Sequence, residues 1–155
     1  MAHPVTRLTC GTTYRRPDEP RGGKPETEVC EIAQAVAQID DLISYWAVLA
    51  YYCDQHPTGS EWTALLIEMH GLVKEAWKAE NGPATKKKHM LGVAESAWVE
   101  FISPKAFTAK DRAKVAGIGG EAWRRYARIQ ARVHNNLVGA TNDGLRQIKK
   151  ALGRH

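Results

Sequence analysis

The chain has 155 residues, with an apolar content of 43% and a formal net charge of +5. This length supports one domain, or one domain with a mobile arm. The sequence contains no long uncharged apolar run, so we expect no membrane-spanning segment and no membrane partner. The first residues lack the apolar stretch of a signal peptide, so we expect a cytoplasmic protein.

The net charge is distributed unevenly along the chain. Residues 104–155 carry a net charge of +9, residues 26–103 carry −7 and residues 1–25 carry +3. A basic segment beside an acidic one is expected when one part of a molecule has an anionic partner. The alternative is a basic helix face that is merely solvated. We therefore predict a flexible basic arm (1–25), an acidic helical body (26–103) and a basic region that binds the partner (104–155).

The cysteines indicate neither a disulfide framework nor a metal site. Cys10, Cys30 and Cys53 are odd in number and widely spaced, so reduced thiols are expected. Cys53 and His56 have one half of the spacing of a zinc site, but no second close pair accompanies them. We expect no metal and no cofactor.

The predicted arm, residues 1–25, contains four prolines and three glycines and has little apolar periodicity. This composition is typical of an extended or disordered segment. Its arginines would touch a phosphate backbone or a partner, or would only keep the arm soluble.

The acidic body begins with a helical pattern. Apolar residues recur every three or four positions from Glu26 to Cys53, which predicts one long amphipathic helix. Pro57 disfavours helix at the residue before it, and Gly59 permits a tight turn. The long helix should therefore end near Cys53.

Two further helices are predicted in the acidic body. Ser60 is a good N-cap for the first of them, which should end at Asn81-Gly82-Pro83. The other should run from near Lys86 to Ser103. No segment shows strand alternation of any length, so we expect an all-α fold.

The basic region begins with a short predicted helix. Thr108, with Asp111 three residues later, is typical of a capping box and predicts a helix over about 109–116. Glycines interrupt this helix at 117–120, and a strongly basic helix is predicted from Glu121.

This arrangement has the features that a helix-turn-helix requires. Ala113 is small enough for two helices to cross closely, and Gly117 tolerates the positive φ that the turn needs. Ile118 would fill the angle between the helices, while Trp123 and Tyr126 would anchor the second helix inward. We therefore predict a C-terminal helix-turn-helix.

The predicted DNA contacts follow from the positions that face the groove in this motif. We expect Arg124, Arg125 and Arg128 nearest the bases, because arginine can be bidentate to guanine in the major groove. The residues expected at the phosphate backbone are Lys105, Lys110, Lys114 and Arg132. Glu121, at the start of the helix, completes the predicted DNA-binding set. Double-stranded DNA is preferred over RNA because a preformed helix reads a major groove, which A-form RNA hides.

One residue departs from the motif. The position before Ala113 is usually apolar, but here it is Arg112, so the first helix would be rotated or the side chain of Arg112 would extend to solvent. The alternative interpretation of the segment is an ordinary helical hairpin with a glycine-rich turn.

The end of the chain allows two structures. Glycines at 139 and 144 precede Leu145, Ile148 and Leu152, which predicts a kinked continuation of the basic helix or a final short helix. The spacing of these apolar residues suits packing back on the body or contact with a second subunit.

The order of motifs in the basic region resembles a known family. Ala122-Trp123-Arg124-Arg125 follows the predicted turn, His134 and Asn135-Asn136-Leu137 lie on the long helix, and Leu145-x-x-Ile148-x-x-Ala151-Leu152 comes near the end. This arrangement is similar to the C-terminal part of phage late-gene transcription antiterminators of the Q type. Some members carry a zinc-binding insertion; this sequence lacks the cysteine pairs and resembles the zinc-free, small all-helical branch.

The resemblance implies a specific function. Proteins of this type bind a DNA element near a late promoter, load onto a paused bacterial RNA polymerase and make it read through terminators. In this interpretation the acidic body (26–103) faces polymerase, and the arm (1–25) contacts polymerase or emerging RNA in the bacterial host cytoplasm.

Two other functions compete with antitermination. The first is a conventional helix-turn-helix regulator, or a packaging-site recognition protein, with a helical dimerisation body. The second is a small enzyme, but the sequence shows no nucleophile with a base, no metal-ligand cluster and no phosphate loop. Glu95 and Glu100 are not spaced as an obvious acid–base pair, so we expect a protein that is not an enzyme.

Overall fold

The computed structural model describes residues 25–84 and 87–153, and within these residues it contains helices and no strands. The seven helices of this part are α1 (Pro25–Ala37), α2 (Leu42–Cys53), α3 (Ser60–Ala79), α4 (Lys87–Ile102), α5 (Ala109–Ala116), α6 (Gly120–Trp123) and α7 (Ala127–Ala151). The expected all-α class is therefore confirmed for the described residues. The predicted arm lies outside them except for Pro25, which begins α1. None of the described helices is long and apolar enough to cross a lipid bilayer.

The prediction of one long helix between Glu26 and Cys53 is wrong, because the helix is interrupted between α1 and α2. Asp41 is the N-cap of α2: its backbone is extended and its carboxylate accepts a hydrogen bond from the Ser44 N–H at 2.9 Å. The side chain of Gln147 spans the break, since its Oε1 accepts the Asp40 N–H at 3.1 Å and its Nε2 donates to Asp41 Oδ1 at 3.4 Å. A cap and a partner distant in sequence therefore override the helical periodicity.

The carboxylate of Asp41 is held in its charged form at this break. Partial burial would raise the pKa of Asp41, but the hydrogen bonds from Ser44 and Gln147 outweigh it, and the pKa lies below its ordinary value. The break is thus stabilised by an ionised cap.

Helix α3 begins where the sequence predicts, with a different cap. The N-cap is Gly59, at φ 56°, and it makes no side-chain cap hydrogen bond; Ser60 is the first helical residue. The predicted capping role of Ser60 is therefore wrong. At the other end, Asn81 adopts a positive φ of 50°, and the indole N–H of Trp77 donates to the Pro83 carbonyl at 2.8 Å.

The chain divides into two compact units. Of the described residues, 25–56 and 140–153 form the first unit and 57–139 form the second. Helix α7 contributes its first part to the second unit and its last part to the first. The boundary near residue 103 that charge predicts lies inside the second unit.

Helix α7 is one continuous helix, so the final short helix considered for the end of the chain is not formed. Its buried residues are spaced mostly by four, which suits an α-helix with one inward face. They are Ile129, Gln130, Val133 and Leu137 in the second unit and Thr141, Gly144 and Ile148 in the first. In the first unit α7 passes close to α2 at Gly144, where an added Cβ would overlap the side chain of Val48 and lie 3.1 Å from the Ser44 carbonyl oxygen.

Candidate nucleic-acid interface

Helix α5 begins at a capping box, as the sequence predicts. The Thr108 side chain accepts the Asp111 N–H at 3.2 Å, and the Asp111 carboxylate accepts the Thr108 N–H at 3.0 Å. The hydrogen bonds from the Thr108 backbone and side chain hold the pKa of Asp111 below its ordinary value. These local bonds satisfy helix-end donors, so the helix starts at Ala109.

Helix α5 ends at Gly117. This residue has φ 68° and ψ 29°, and its N–H donates to the carbonyls of Ala113 and Lys114. The Ile118 N–H also donates to the Ala113 carbonyl, at 3.0 Å, and the Ile118 side chain is buried. The positive φ predicted for Gly117 and the inward position predicted for Ile118 are both confirmed.

The prediction of a single basic helix from Glu121 is wrong, because a turn interrupts the helix shortly after it begins. The chain forms the one-turn helix α6, then a turn over 124–126, and then α7. In the turn, the N–H groups of Arg125 and Tyr126 donate three residues back, to Ala122 at 3.1 Å and to Trp123 at 2.8 Å. Hydrogen bonds to the third residue back give three residues per turn, so side chains three positions apart lie on the same side. Trp123 and Tyr126 have this spacing.

The inward anchors of this segment are aromatic. Trp123 and Tyr126 are buried, as predicted. The Tyr126 hydroxyl is hydrogen-bonded to His89 Nδ1 at 2.7 Å, and its ring lies 5.3 Å from that of Trp77. Contacts to both α3 and α4 therefore fix which side of the segment faces solvent.

Three arginines lie on the exposed side of this segment. Arg124 and Arg125 are in the turn and Arg128 is in the first turn of α7. All three are exposed, and within residues 25–84 and 87–153 none of them forms an ion pair or a side-chain hydrogen bond. We call these three residues the arginine surface. Their charges are available to an external anion.

Four of the other predicted contact residues lie on α5, on α6 and in the loop before α5. Lys110 and Lys114 are exposed one turn apart on α5, and Glu121 is exposed on α6. Lys105 is exposed in the loop between α4 and α5, where its N–H donates to Ser103 Oγ at 3.2 Å. The two α5 lysines border a shallow groove of about 520 Å³, whose other lining residues are Ala109, Ala113, Ile118, Gly120 and Trp123.

Arg132 differs from the arginine surface because it has an intramolecular partner. Its Nε and Nη2 donate to Glu80 Oε2 at 3.1 and 2.8 Å. The Arg132 side chain is 51% exposed, so this ion pair is partly screened by water. A phosphate contact by Arg132 stays a prediction, and the phosphate would have to compete with Glu80.

Arg112, which departs from the motif, is held by a buried polar network that the sequence did not reveal. Its guanidinium donates to both carboxylate oxygens of Glu100, from Nε at 3.0 Å and from Nη2 at 2.8 Å. Gln130, 1% exposed, donates to the same Glu100 Oε1 at 2.7 Å. One carboxylate on α4 thus joins α5 to α7, and the side chain of Arg112, 31% exposed, is held in this ion pair.

The charge state of Glu100 follows from these bonds. Burial by itself would raise the pKa of Glu100. The hydrogen bonds from Arg112 and Gln130, together with the guanidinium charge, lower this pKa by more than burial raises it, so the pKa lies below its ordinary value. The carboxylate is ionised at neutral pH and is fully occupied by its two partners. Glu100 is therefore a structural residue that orients α5.

The close helix crossing of this unit involves α4 and α5. An alanine Cβ at Gly92 would overlap the Ala116 carbonyl oxygen and lie 3.1 Å from its carbonyl carbon. The sequence predicts Ala113 as the small residue at a crossing, and Ala113 is indeed buried. The requirement for glycine at 92 could not be predicted, because nothing in the sequence indicates that α5 lies on α4.

Comparison with family models, with curated proteins and with solved structures found no match to this chain. No group of three or more His, Cys, Asp or Glu side chains that could hold a metal ion occurs among the described residues.

Proposed function

We propose that this protein binds double-stranded DNA through a helix-turn-helix. Helix α5 is the first helix of the motif, Gly117 makes the turn, and α6 with the start of α7 enters the major groove. The observation that carries the proposal is the arginine surface: three exposed arginines that have no ion pair within the described residues, on a segment whose other side is anchored by Trp123 and Tyr126.

The chemistry of the neighbouring side chains supports this proposal. Arginine donates two parallel hydrogen bonds to guanine O6 and N7, which makes it a frequent base-reading residue. Lysine acts as a point charge and suits phosphate, so Lys105, Lys110 and Lys114 would hold the backbone. The two α5 lysines and the arginine surface are carried by consecutive elements of one unit.

The test is the affinity for duplex DNA as a function of salt, measured by fluorescence anisotropy with the full chain. We expect the affinity to fall roughly a hundredfold between about 50 and 200 mM salt, because about four bound phosphates each release a counterion. Single-stranded RNA of the same length should bind more weakly, because it offers no major groove to a helix. Weak binding that does not depend on salt would contradict the proposal.

We further propose that DNA binding serves transcription antitermination, with bacterial RNA polymerase as the second partner. The support is the resemblance of the basic region, from the predicted helix-turn-helix to Leu152, to antiterminators of the Q type. A second supporting feature is the charge of residues 25–56, which contain six acidic side chains and no lysine or arginine. Such a segment is unsuited to DNA and available to a protein partner.

This second proposal predicts read-through of terminators. In a purified transcription reaction, a template carrying the bound DNA element upstream of a terminator should give more full-length transcript when the protein is present. The protein should also remain with the elongating polymerase downstream of its site. If it stays at the site and changes only initiation, it is a conventional DNA-binding regulator; if it stays there and leaves transcription unchanged, packaging-site recognition becomes the better interpretation.

A further inference from the structure

Among the described residues of the basic region, one acidic side chain has no ion pair and no hydrogen bond. Residues 104–155 hold three acidic side chains, Asp111, Glu121 and Asp143. Asp111 belongs to the capping box of α5, and Asp143 pairs with Arg146 at 3.2 Å. Glu121 is exposed and, within the part of the chain that the structure describes, forms no ion pair and no side-chain hydrogen bond.

Glu121 lies beside the arginine surface. Arg124, Arg125 and Arg128 follow it by three, four and seven residues, while the intervening Trp123 faces inward. All four charged side chains are exposed, so they lie on the solvent side of the same segment. A carboxylate at this position repels phosphate, so it lowers the affinity for DNA of any sequence.

The position of Glu121 in the first turn of α6 does not explain why an acidic residue stands there. An acidic residue near a helix N-terminus is stabilised by the helix dipole, but the dipole needs aligned peptides and α6 has four residues. The effect on folding should therefore be small, and a different role has to offset the cost in DNA affinity.

We propose that Glu121 reads a cytosine, and that the DNA element is rich in G·C pairs at the positions read by this segment. The inference rests on the proposed DNA-binding function. A carboxylate oxygen accepts a hydrogen bond from cytosine N4, the donor that a C·G pair presents in the major groove. The neighbouring arginines favour guanine, so one carboxylate and three guanidinium groups together select G·C pairs in both orientations. Glu121 determines specificity at its own position, because its carboxylate repels the acceptor atoms O6 and N7 of guanine there.

The experiment is a selection from a random duplex library with the full-length protein and with the variants Glu121→Gln and Glu121→Ala. The wild type should enrich a G·C-rich motif with one cytosine that is preferred about tenfold over other bases. Glutamine pairs with adenine N6 and N7, so Glu121→Gln should change that cytosine to adenine and leave the other positions unchanged. Glu121→Ala should lose the preference at that position and bind unrelated DNA several-fold more tightly.

The outcomes separate this inference from the DNA-binding proposal. Tight, salt-dependent binding by all three proteins with identical selected motifs would overturn the role of Glu121 and leave DNA binding standing. Absence of duplex binding by the wild type would overturn both proposals. A fall in thermal stability of both variants with unchanged motifs would assign Glu121 to folding and overturn the inference.

Discussion

Replacing Arg124, Arg125 and Arg128 together by alanine is expected to lower the affinity for duplex DNA by at least about a hundredfold, because each guanidinium would lose a base or phosphate contact. Thermal stability should stay near that of the wild type, since the three side chains are exposed and none forms an ion pair within the described residues. Fluorescence anisotropy and circular dichroism melting of the same samples test both expectations.

The matched control removes the same charge elsewhere. Lys74 on α3 and Lys149 and Lys150 near the end of α7 are exposed and form no ion pair within the described residues, and replacing them by alanine also removes three positive charges. This control should weaken DNA binding by only a few-fold, through long-range attraction. Equal losses from the two triple variants would mean that DNA responds to net charge alone and that the arginine surface is an ordinary solvated face.

Replacing Gly92 by alanine is expected to destabilise the protein by about 2 kcal/mol or more. The new Cβ would overlap the backbone carbonyl oxygen of Ala116, and backbone atoms cannot rotate away as a side chain can. Helix α5 would have to move off α4, which would disturb the bonds from Arg112 to Glu100. Urea denaturation of the variant and of the wild type measures the loss.

Gly71 provides the control for this prediction. It lies in the exposed part of α3 and an added Cβ would meet no atom within 4 Å. Gly71→Ala should stabilise the protein by about 0.5–1 kcal/mol, because alanine loses less conformational freedom in a helix than glycine does. The same substitution should therefore have opposite effects at the two sites. Stabilisation by both would show that α4 and α5 do not touch at Gly92.

The two large predictions test different parts of the same interface. The arginine surface supplies the charge, whereas the contact at Gly92 and the network of Glu100 set where α5 lies relative to α4 and α7. A variant that moved α5 would shift Lys110 and Lys114 without removing either charge. We therefore expect Gly92→Ala to weaken DNA binding as well, by way of misplaced phosphate contacts.

Features that depend on residues close together in the chain were predictable. The capping box of Thr108 and Asp111, the left-handed conformation of Gly117 and the inward positions of Ile118 and Trp123 follow from local chemistry or from helical spacing. The bounds of α5 follow for the same reason. Each of these features requires only a residue type and the spacing to its neighbours.

Features that depend on distant partners were missed. The helical pattern of residues 26–53 gave no reason to expect a break, because the break is stabilised partly by Gln147, more than a hundred residues away. The role of Arg112 was similarly hidden, since its partner Glu100 lies on another helix. The ion pair of Arg132 with Glu80 was missed as well, because the two residues are far apart in sequence. A phosphate would have to compete with Glu80 for Arg132.

The sequence by itself determined the helical class of the described residues, the ends of α5 and the concentration of positive charge after residue 103, since all three depend on residue type and local spacing. The tertiary structure decided which of the basic residues are available to a partner. It paired Arg112 with Glu100 on α4 and Arg132 with Glu80 at the C-cap of α3, and it left the arginine surface exposed and unpaired within the described residues. The physical reason is that a charged side chain is neutralised by the oppositely charged group that folding places within hydrogen-bond distance. The spacing of two residues in the sequence does not give their distance in the folded chain.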